Sequence, residues 1–327
     1  MNRRLSLAVE RFPTRGSFTI SRSSVTAVDL VVATLELDGA RGRGECRPYA
    51  RYGETPASVL DEIEALRAAV EGGMTRAELQ RALRPGAARN ALDCALWDLE
   101  AKQSGRAVWQ LAGLTRPGPV VTAFTLSLDS ADAMAAAAAA NRDRPLLKLK
   151  LAGPEDLARV AAVHSAAPAA TLIVDANEGW TLASFRAIAP RLQELGVALV
   201  EQPLPAAEDA ALAGQSWPLP LCADESSHDR ASLAALVGRY AYVNVKLDKT
   251  GGLTEALAMV AEARRLGFGI MVGCMVASSL AMAPALLLAQ GADYVDLDGP
   301  LLLAQDRPEG LRYDGSTIDP PSAELWG

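Results

Sequence analysis

From Val120 onward, short apolar runs rich in leucine and β-branched residues alternate with segments whose apolar positions recur every three or four residues. That alternation is the pattern of parallel βαβ units. It predicts eight strands, near residues 120–128, 145–151, 171–175, 197–201, 219–224, 242–246, 269–274 and 292–298. Consecutive strand ends are mostly a little over twenty residues apart, the length of one strand, one helix and two loops. Several helix starts carry local signals. Pro154, Glu155 and Asp156 put a fixed φ and two acids in a first turn, and Gly251-Gly252 precedes the helical TEALAMVAEARRLG. Eight such units close a barrel, whose functional side chains gather at the C-terminal strand ends above layers of packing residues.

Residues 1–115 are patterned differently. DLVVATLEL is strand-like, and ETPASVLDEIEALRAAVEGG and GAARNALDCALWDLEAKQSG are helical, with no βαβ alternation, so an α+β unit is expected. TRPGP at 115–119 is a Pro- and Gly-containing joint. The chain therefore divides into an α+β domain at 1–115, a barrel at 116–304 and a loop-like tail at 305–327 expected to pack back on the first domain.

Composition narrows the partners. With 50% hydrophobic and 22% charged residues in 327, the chain has ordinary globular make-up and the size of a barrel with an appendage. Thirty-nine acids against 32 Lys and Arg give a net charge of −7, which leaves no basic excess for nucleic acid or an anionic membrane. Cys46, Cys94, Cys222 and Cys274 form no CxxC pair, so neither a zinc site nor a disulfide framework is indicated, and reduced thiols in a cytoplasm are expected. The N-terminus reaches Glu10 and Arg11 before any apolar stretch could serve as an export signal. The Ala133–Ala140 run and the leucines at 286–288 are too short or too interrupted to span a bilayer.

Each expected strand end closes on an ionisable group: Lys148 and Lys150 in LLKLKL, Asp175 in IVDAN, Glu201 in LVEQP, Asp224 in CADES and Lys246 in NVKLDKTGG. Five consecutive βα units thus deliver charge to one rim. Three carboxylates at one mouth repel one another and rise in pKa unless a cation sits among them. All-oxygen ligation with room for water and substrate suits Mg²⁺ better than zinc, and two histidines, His164 and His228, exclude a histidine-rich site. Lys148 and Lys150 project to one strand face. A lysine desolvated beside Mg²⁺ and other lysines is expected to have a lowered pKa and to act as a general base. Lys150 on the second strand and Lys246 on the sixth then face an axial substrate from opposite sides, as removal and return of an α-proton requires. Mg²⁺ and Lys148 stabilise the charge this leaves on the substrate carboxylate. Asp296 and Asp298 of DYVDLDGP share a face and are not needed for the metal, so a substrate ammonium is their expected partner, with an Asx turn before Gly299-Pro300 as the alternative. Lys249 lies beyond the NVKL alternation and reads as a solvated loop lysine.

Together these residues resemble the enolase superfamily, and within it the muconate-lactonizing-enzyme subgroup, in which a KxK pair and a sixth-strand lysine flank a D/E/D magnesium site. The likeness extends over nearly the whole chain: ARNALDCALWDLEAKQSGRAVWQLAGL is similar to the end of that family's capping domain, and DAN, VEQP, ADES and KTGG to its strand-end motifs. The resemblance implies the α/β class, a modified (β/α)7β TIM-type barrel with an α+β N-terminal capping domain, and a homo-oligomer. It implies one Mg²⁺ per subunit on Asp175, Glu201 and Asp224, with Lys150 and Lys246 as the acid–base pair. The DxD of the eighth strand and the GCM of the seventh resemble the dipeptide epimerases, whose acid pair holds the substrate's ammonium group. By the same resemblance Arg22 in FTISR, otherwise a solvated arginine, matches a first-loop arginine that meets the Glu side chain of L-Ala-D/L-Glu. RYGE at Arg51–Glu54 resembles the second capping loop of murein-peptide enzymes, and Thr125, Cys274 and Val276 would line the dipeptide pocket. In one departure, the position two after GxM, acidic in many relatives, is Ala277.

The expected function is a Mg²⁺-dependent, cytoplasmic epimerase interconverting L-Ala-D-Glu and L-Ala-L-Glu in murein peptide metabolism. Epimerisation of other dipeptides remains open, as do o-succinylbenzoate synthesis and muconate cycloisomerisation, since fold and metal site do not fix a substrate. Asp296 and Asp298 argue against the last two, whose dianionic substrates have no ammonium to offer. A non-catalytic binding protein would have no need of three metal carboxylates between two opposed lysines.

Overall fold

A computed structural model describes residues 3–327. The chain begins with β1 (Arg4–Ile20) and β2 (Ser23–Leu37), a long antiparallel hairpin that turns at Ser21-Arg22, and β3 (Ala40–Cys46) pairs with β2. DLVVATLEL lies in β2, and its alternation serves two cores. Val31, Ala33 and Leu35 pack with the helices of this domain, while Val28, Leu30 and Val32 join the cluster continuous with the barrel. The first helical stretch breaks at Ala65-Leu66 into α1 (Pro56–Glu64) and α2 (Arg67–Glu71), followed by α3 (Arg76–Ala82). Thr55 and Thr75 cap α1 and α3 through their hydroxyls.

Next comes α4 (Ala87–Ser104), followed by the short α5 (Val108–Leu111). Buried along almost its whole length, α4 is the contact helix between the two halves. Arg89 donates to the carbonyls of Thr250 and Gly251 at 2.7 and 3.1 Å, and Asp93 accepts from Thr254 N at 2.9 Å. KTGG makes that approach possible. Gly251 and Gly252 have φ of 73° and 106°, and a Cβ on either would meet the Arg89 or Asp93 side chain at 2.5 Å.

The barrel follows as β4 (Val120–Val121), β5 (Phe124–Leu126), α6 (Ala131–Ala140), β6 (Leu146–Lys150), α7 (Asp156–Ala166), β7 (Thr171–Asp175), α8 (Leu182–Glu194), β8 (Val197–Glu201), β9 (Leu221–Ala223), α9 (Arg230–Leu236), β10 (Tyr242–Val245), α10 (Leu247–Thr250), α11 (Leu253–Arg265), β11 (Gly269–Gly273), α12 (Ser279–Ala289) and β12 (Tyr294–Asp296). Strands β5 to β12 form one parallel sheet in sequential order. Its edges meet without a ladder: Ala123 N donates to Val295 O and Leu297 N to the Thr122 hydroxyl, each at 2.8 Å. Between β8 and β9 a 3₁₀ turn, Asp209–Leu212, replaces the helix, and among the described residues no α-helix follows β12. This is the modified (β/α)7β barrel.

The expected first strand, 120–128, is divided. Val120–Val121 leave the barrel to pair with β14 (Thr317–Ile318), which with β13 (Tyr313–Asp314) forms a hairpin in the tail. Beyond it the Trp326 indole donates to Cys94 O at 3.1 Å and Gly327 N to Asp98 Oδ1 at 2.7 Å, both on α4. Pro154 precedes α7 rather than lying in its first turn; Asp156 instead accepts from Gly153 N at 2.7 Å. Among the described residues no helix is long and apolar enough to cross a membrane.

Candidate active site

The floor of the site follows from strand geometry. Ile173, Leu199 and Cys222 form a buried layer with Met271, and Asp175, Glu201 and Asp224 come two residues later on the same three chain segments, hence on the same inward face one layer higher. All three carboxylates are buried, with oxygens within 4.8 Å of one another. Lys148 Nζ lies beneath them, 2.6 Å from Glu201 Oε2, 3.3 Å from Asp175 and 2.7 Å from Asp296 Oδ2. The contact with Glu201 is an ion pair outside hydrogen-bond alignment. Lys150 Nζ is 2.6 Å from Asp175, and Lys246 Nζ 2.7 Å from Asp224. Strands β6 and β10, which deliver these two lysines, are four apart in an eight-stranded sheet and so stand on opposite sides of the axis.

The charges are unequal. Burial raises each carboxyl, yet Lys150 and Lys148 hold Asp175 down at about 2, and Lys246 and Lys249 hold Asp224 well below the usual range. Glu201, buried beside Asp175, is pushed up to about 7. An all-oxygen set of three buried carboxylates, one of which resists ionisation, fits a hard divalent cation, whose charge would relieve that resistance. At Lys246 burial acts to lower the pKa, but the carboxylates of Asp224 and Glu201 outweigh it and hold the ammonium well above the ordinary lysine value; the lowering expected of a base beside Mg²⁺ requires that cation among them.

Two strand-end loops keep the acids in place. Gln202, at φ 36°, accepts from Asp224 N at 2.9 Å and donates to Tyr240 Oη at 3.0 Å, fixing the loop after β9. Asn177, at φ 44°, donates from Nδ2 to Asp175 Oδ2 at 3.2 Å and to Glu225 Oε1 at 3.3 Å. Such positive φ values are uncommon outside glycine and mark a constrained turn. Lys249 is not the solvated loop lysine expected. It sits in α10, fully buried, with Nζ at 2.6 Å from both Asp224 O and Asp224 Oδ1 and 3.0 Å from Asn244 O. The four-residue helix after β10 turns it inward, and burial lowers its pKa.

At the eighth strand, Asp298 Oδ2 accepts from Thr125 N at 2.6 Å, and burial beside Asp296 pushes Asp298 up to about 7. Asp296 Oδ2 meets Lys148, but its Oδ1 is buried with no hydrogen-bond partner. The pair is therefore one donor short, and a cation is the partner its charge asks for. Thr125 and Val276 are buried, and half-buried Cys274 completes this side of the pocket.

The ceiling comes from loops of the first domain. Arg22, at the β1–β2 turn, is anchored rather than solvated: Nη1 donates to Asn177 O at 2.9 Å, and Nη2 to Tyr49 Oη at 3.1 Å and Glu225 Oε1 at 2.7 Å. Arg51 grips Glu178 with Nε and Nη2 at 2.8 and 2.7 Å. Glu54 Oε1 accepts from Ala87 N at 2.9 Å and Oε2 from Tyr49 N at 3.1 Å, tying this loop to the start of α4. The cavity left between floor and ceiling is about 60 Å³, well below the roughly 300 Å³ at which small-molecule pockets begin.

Of the expected site residues, Arg22, Thr125, Lys150, Asp224, Lys246, Cys274, Val276, Asp296 and Asp298 line this cavity, and Lys148, Asp175 and Glu201 lie in the ion-pair cluster at its floor. Sequence reasoning did not assign Arg47, Tyr49, Asn177, Gln202 or Glu225. Three of these stand inside the quoted DAN, VEQP and ADES motifs, while Arg47 and Tyr49 precede RYGE and carried no signal of their own.

Comparison with known proteins agrees with the geometry. Residues 4–113 match the family described as mandelate racemase / muconate lactonizing enzyme, N-terminal domain, and residues 131–323 the family described as enolase C-terminal domain-like. The chain is 49% identical over 306 residues to the L-Ala-D/L-Glu epimerase of Escherichia coli K12, covering 93% of this chain and 95% of that one. It is 48% identical over 288 residues to an N-acetyl-D-glutamate racemase of a Pseudoalteromonas species, covering 88% and 91%. A crystal structure of an enolase family member from Agrobacterium tumefaciens, with homology to dipeptide epimerases and with bound sodium and L-Ala-L-Glu, superposes with a TM-score of 0.98 at 54% identity, over 99% of this chain and 100% of that one.

Proposed function

The chain belongs to the mandelate racemase / muconate lactonizing enzyme family of the enolase superfamily, and from that membership we propose that it interconverts L-Ala-D-Glu and L-Ala-L-Glu. It is an isomerase of the epimerase and racemase kind, acting on amino-acid derivatives. The observation that carries the assignment is the pair of opposed lysines, each ion-paired to a different carboxylate of one buried triad. Lys150 and Lys246 are then the two bases. One takes the α-proton of the C-terminal residue, and the other returns a proton to the opposite face. Lys148, buried and held well above the ordinary lysine range by Asp296, Glu201 and Asp175 against the effect of burial, stays cationic and donates toward the charge that develops. Mg²⁺, for which Asp175, Glu201 and Asp224 are the natural ligands, would neutralise charge on the substrate's carboxylate.

The rest of the substrate has three directions to satisfy. Its ammonium points to Asp296 and Asp298, where the open Asp296 Oδ1 supports the assignment. Its peptide lies along Thr125, Cys274 and Val276, and its acidic side chain rises toward the arginines of the capping loops, Arg22 among them. In this picture residues 1–115 cap the site, 116–304 form the barrel and 305–327 the tail. The enzyme acts in the cytoplasm, in murein peptide recycling, as a homo-oligomer.

Racemisation of N-acetylglutamate is the second reading, favoured by the Pseudoalteromonas relative, which shares an acidic substrate but not an amine. A neutral acetamide leaves the two acids without a cation, so the free dipeptide is the better fit. Incubation with Mg²⁺ in D₂O tests both. Loss of the Glu α-proton signal from L-Ala-L-Glu together with appearance of L-Ala-D-Glu is expected, at a higher kcat/KM than for N-acetyl-L-glutamate. No exchange from the dipeptide sinks the assignment.

A further inference from the structure

Arg47 lies between β3 and α1 and lines the cavity with Arg22, Tyr49, Cys274, Val276 and Asp296. Its backbone N–H is taken by Asp248 Oδ1 at 3.1 Å, and its guanidinium has one hydrogen-bond acceptor, Val276 O, at the long distance of 3.4 Å. Among the described residues no carboxylate is within ion-pair distance of it. Arg22 is the opposite case, with Nη1 on Asn177 O and Nη2 shared between Tyr49 and Glu225. The two guanidiniums lie 5.8 and 5.7 Å from the centroid of the same Tyr49 ring, so one aromatic side chain neighbours both a satisfied cation and an under-partnered one.

Enclosure takes hydration from Arg47 that the one long hydrogen bond to Val276 O returns only in part, and burial is also the main reason its pKa falls below the ordinary arginine value. An under-partnered guanidinium facing a cavity is an anion site, and a carboxylate with two coplanar oxygens is the group that fits its fork. Three parts of the substrate already have places in the proposed reading: the α-carboxylate by the triad, the α-carbon between Lys150 and Lys246, and the ammonium at Asp296 and Asp298. The remaining direction is upward, where Arg47 is held over the ends of β10 and β11 by Asp248 and Val276.

We infer that Arg47 is a specificity-determining residue that receives the side-chain carboxylate of the substrate's acidic residue, with Arg22, held by Glu225, as the second cation beside the same Tyr49 ring. This rests on the acidic-dipeptide reading and adds to it which guanidinium is open to the substrate.

The test compares L-Ala-L-Glu with its neutral isostere L-Ala-L-Gln, by calorimetric binding and by turnover, in Mg²⁺-loaded wild type, Arg47→Gln, Arg47→Lys and Arg22→Gln. Arg47→Gln is expected to cut the Glu-over-Gln preference roughly tenfold to a hundredfold, in Kd and KM rather than kcat. Arg47→Lys should restore part of it, and Arg22→Gln should cut it less. A purely structural Arg47 lowers both dipeptides together, and an unchanged ratio in Arg47→Gln overturns the inference. So does a ratio lost only in Arg22→Gln. Wild type that binds the peptides but epimerises neither overturns the epimerase reading and leaves the binding ratio to decide Arg47; binding of neither overturns both.

Discussion

The floor and the ceiling of the site are built from opposite materials. On the floor, acids and lysines sit on or directly after strands, with side-chain exposure of 1% for Lys148 and 0% for Asp175, and each is fixed by short ion pairs. On the ceiling, arginines and tyrosines sit on loops of another domain, with Arg22 and Arg51 exposed by 27% and 38%, and the two arginines reach barrel acids across the boundary between the domains. Charges on strand ends are fixed by the sheet beneath them, whereas charges on loops are the ones a conformational step can displace. Chemistry should therefore fail through the floor and selectivity through the ceiling.

The strongest challenge to that division is to remove a floor lysine. Lys150→Ala and Lys246→Ala should each lower epimerisation by roughly 10²- to 10⁴-fold, the range for a lost general acid or base. Each should retain α-deuterium exchange on one stereoisomer only, read by proton NMR in D₂O. Racemisation at the wild-type rate in both would mean that the bases lie elsewhere. Exhaustive chelation should abolish turnover in the wild type and added Mg²⁺ restore it; activity that survives chelation removes the metal from the floor.

Lys249 sharpens the comparison, because it is a floor residue without an assigned chemical step. Lys249→Met leaves Asp224 Oδ1 and two carbonyls without their buried donor, and breaking such a pair costs about 3–5 kcal/mol. Urea unfolding should show a loss of that order. A variant within about 1 kcal/mol of wild type would mean that the floor is less tightly determined than its geometry suggests.

How much of this was legible in the sequence follows the same line. Asp175, Glu201, Asp224, Lys150 and Lys246 could be read because each closes an apolar run whose period is local. Lys249 departs from the pattern because a four-residue helix turns its side chain inward, and no alternation records so short an element. The first barrel strand is shorter than its apolar run because Val120–Val121 pair with Thr317–Ile318, a partner almost two hundred residues away that no local window contains. Arg47, Tyr49 and Glu225 acquire meaning only when α4 docks on Gly251-Gly252 and brings the loops over the barrel.

Where the two materials meet, pH gives a smaller handle. Asp248, which accepts from Arg47 N and Asn90 Nδ2, is raised by burial from 3.8 to about 7, against the lowering effect of those hydrogen bonds. A raised carboxyl keeps its proton in the fold after the unfolded chain has lost it. Its contribution therefore falls as pH rises from about 4 to about 7 and is flat above. Asp248→Asn should remove that decline, so that its melting temperature gains on wild type by a few degrees across the interval. Parallel curves would show that Asp248 ionises as freely in the fold as outside it.

The smallest effect is expected at the outer edge of the ceiling. Arg51 holds Glu178 through two hydrogen bonds, but Glu178 also accepts from Ala206 N at 2.8 Å and lies 3.6 Å from Arg22, so Arg51→Ala leaves no orphaned charge. A pair this exposed contributes about 0–1 kcal/mol, and its loss should barely move the melting temperature. What it should change is the closing equilibrium of the second loop, because the pair bridges that loop to the segment after β7. A modest rise in KM for L-Ala-L-Glu, about fivefold or less by the same energy, with kcat held or slightly raised is the expected signature. The difference from wild type should shrink in about 0.5 M salt, where charges more than a few ångströms apart in solvent no longer sense each other. A fall in kcat of tenfold or more at unchanged KM would instead make the ceiling part of the chemistry, and the division between a catalytic floor and a selective ceiling would not stand.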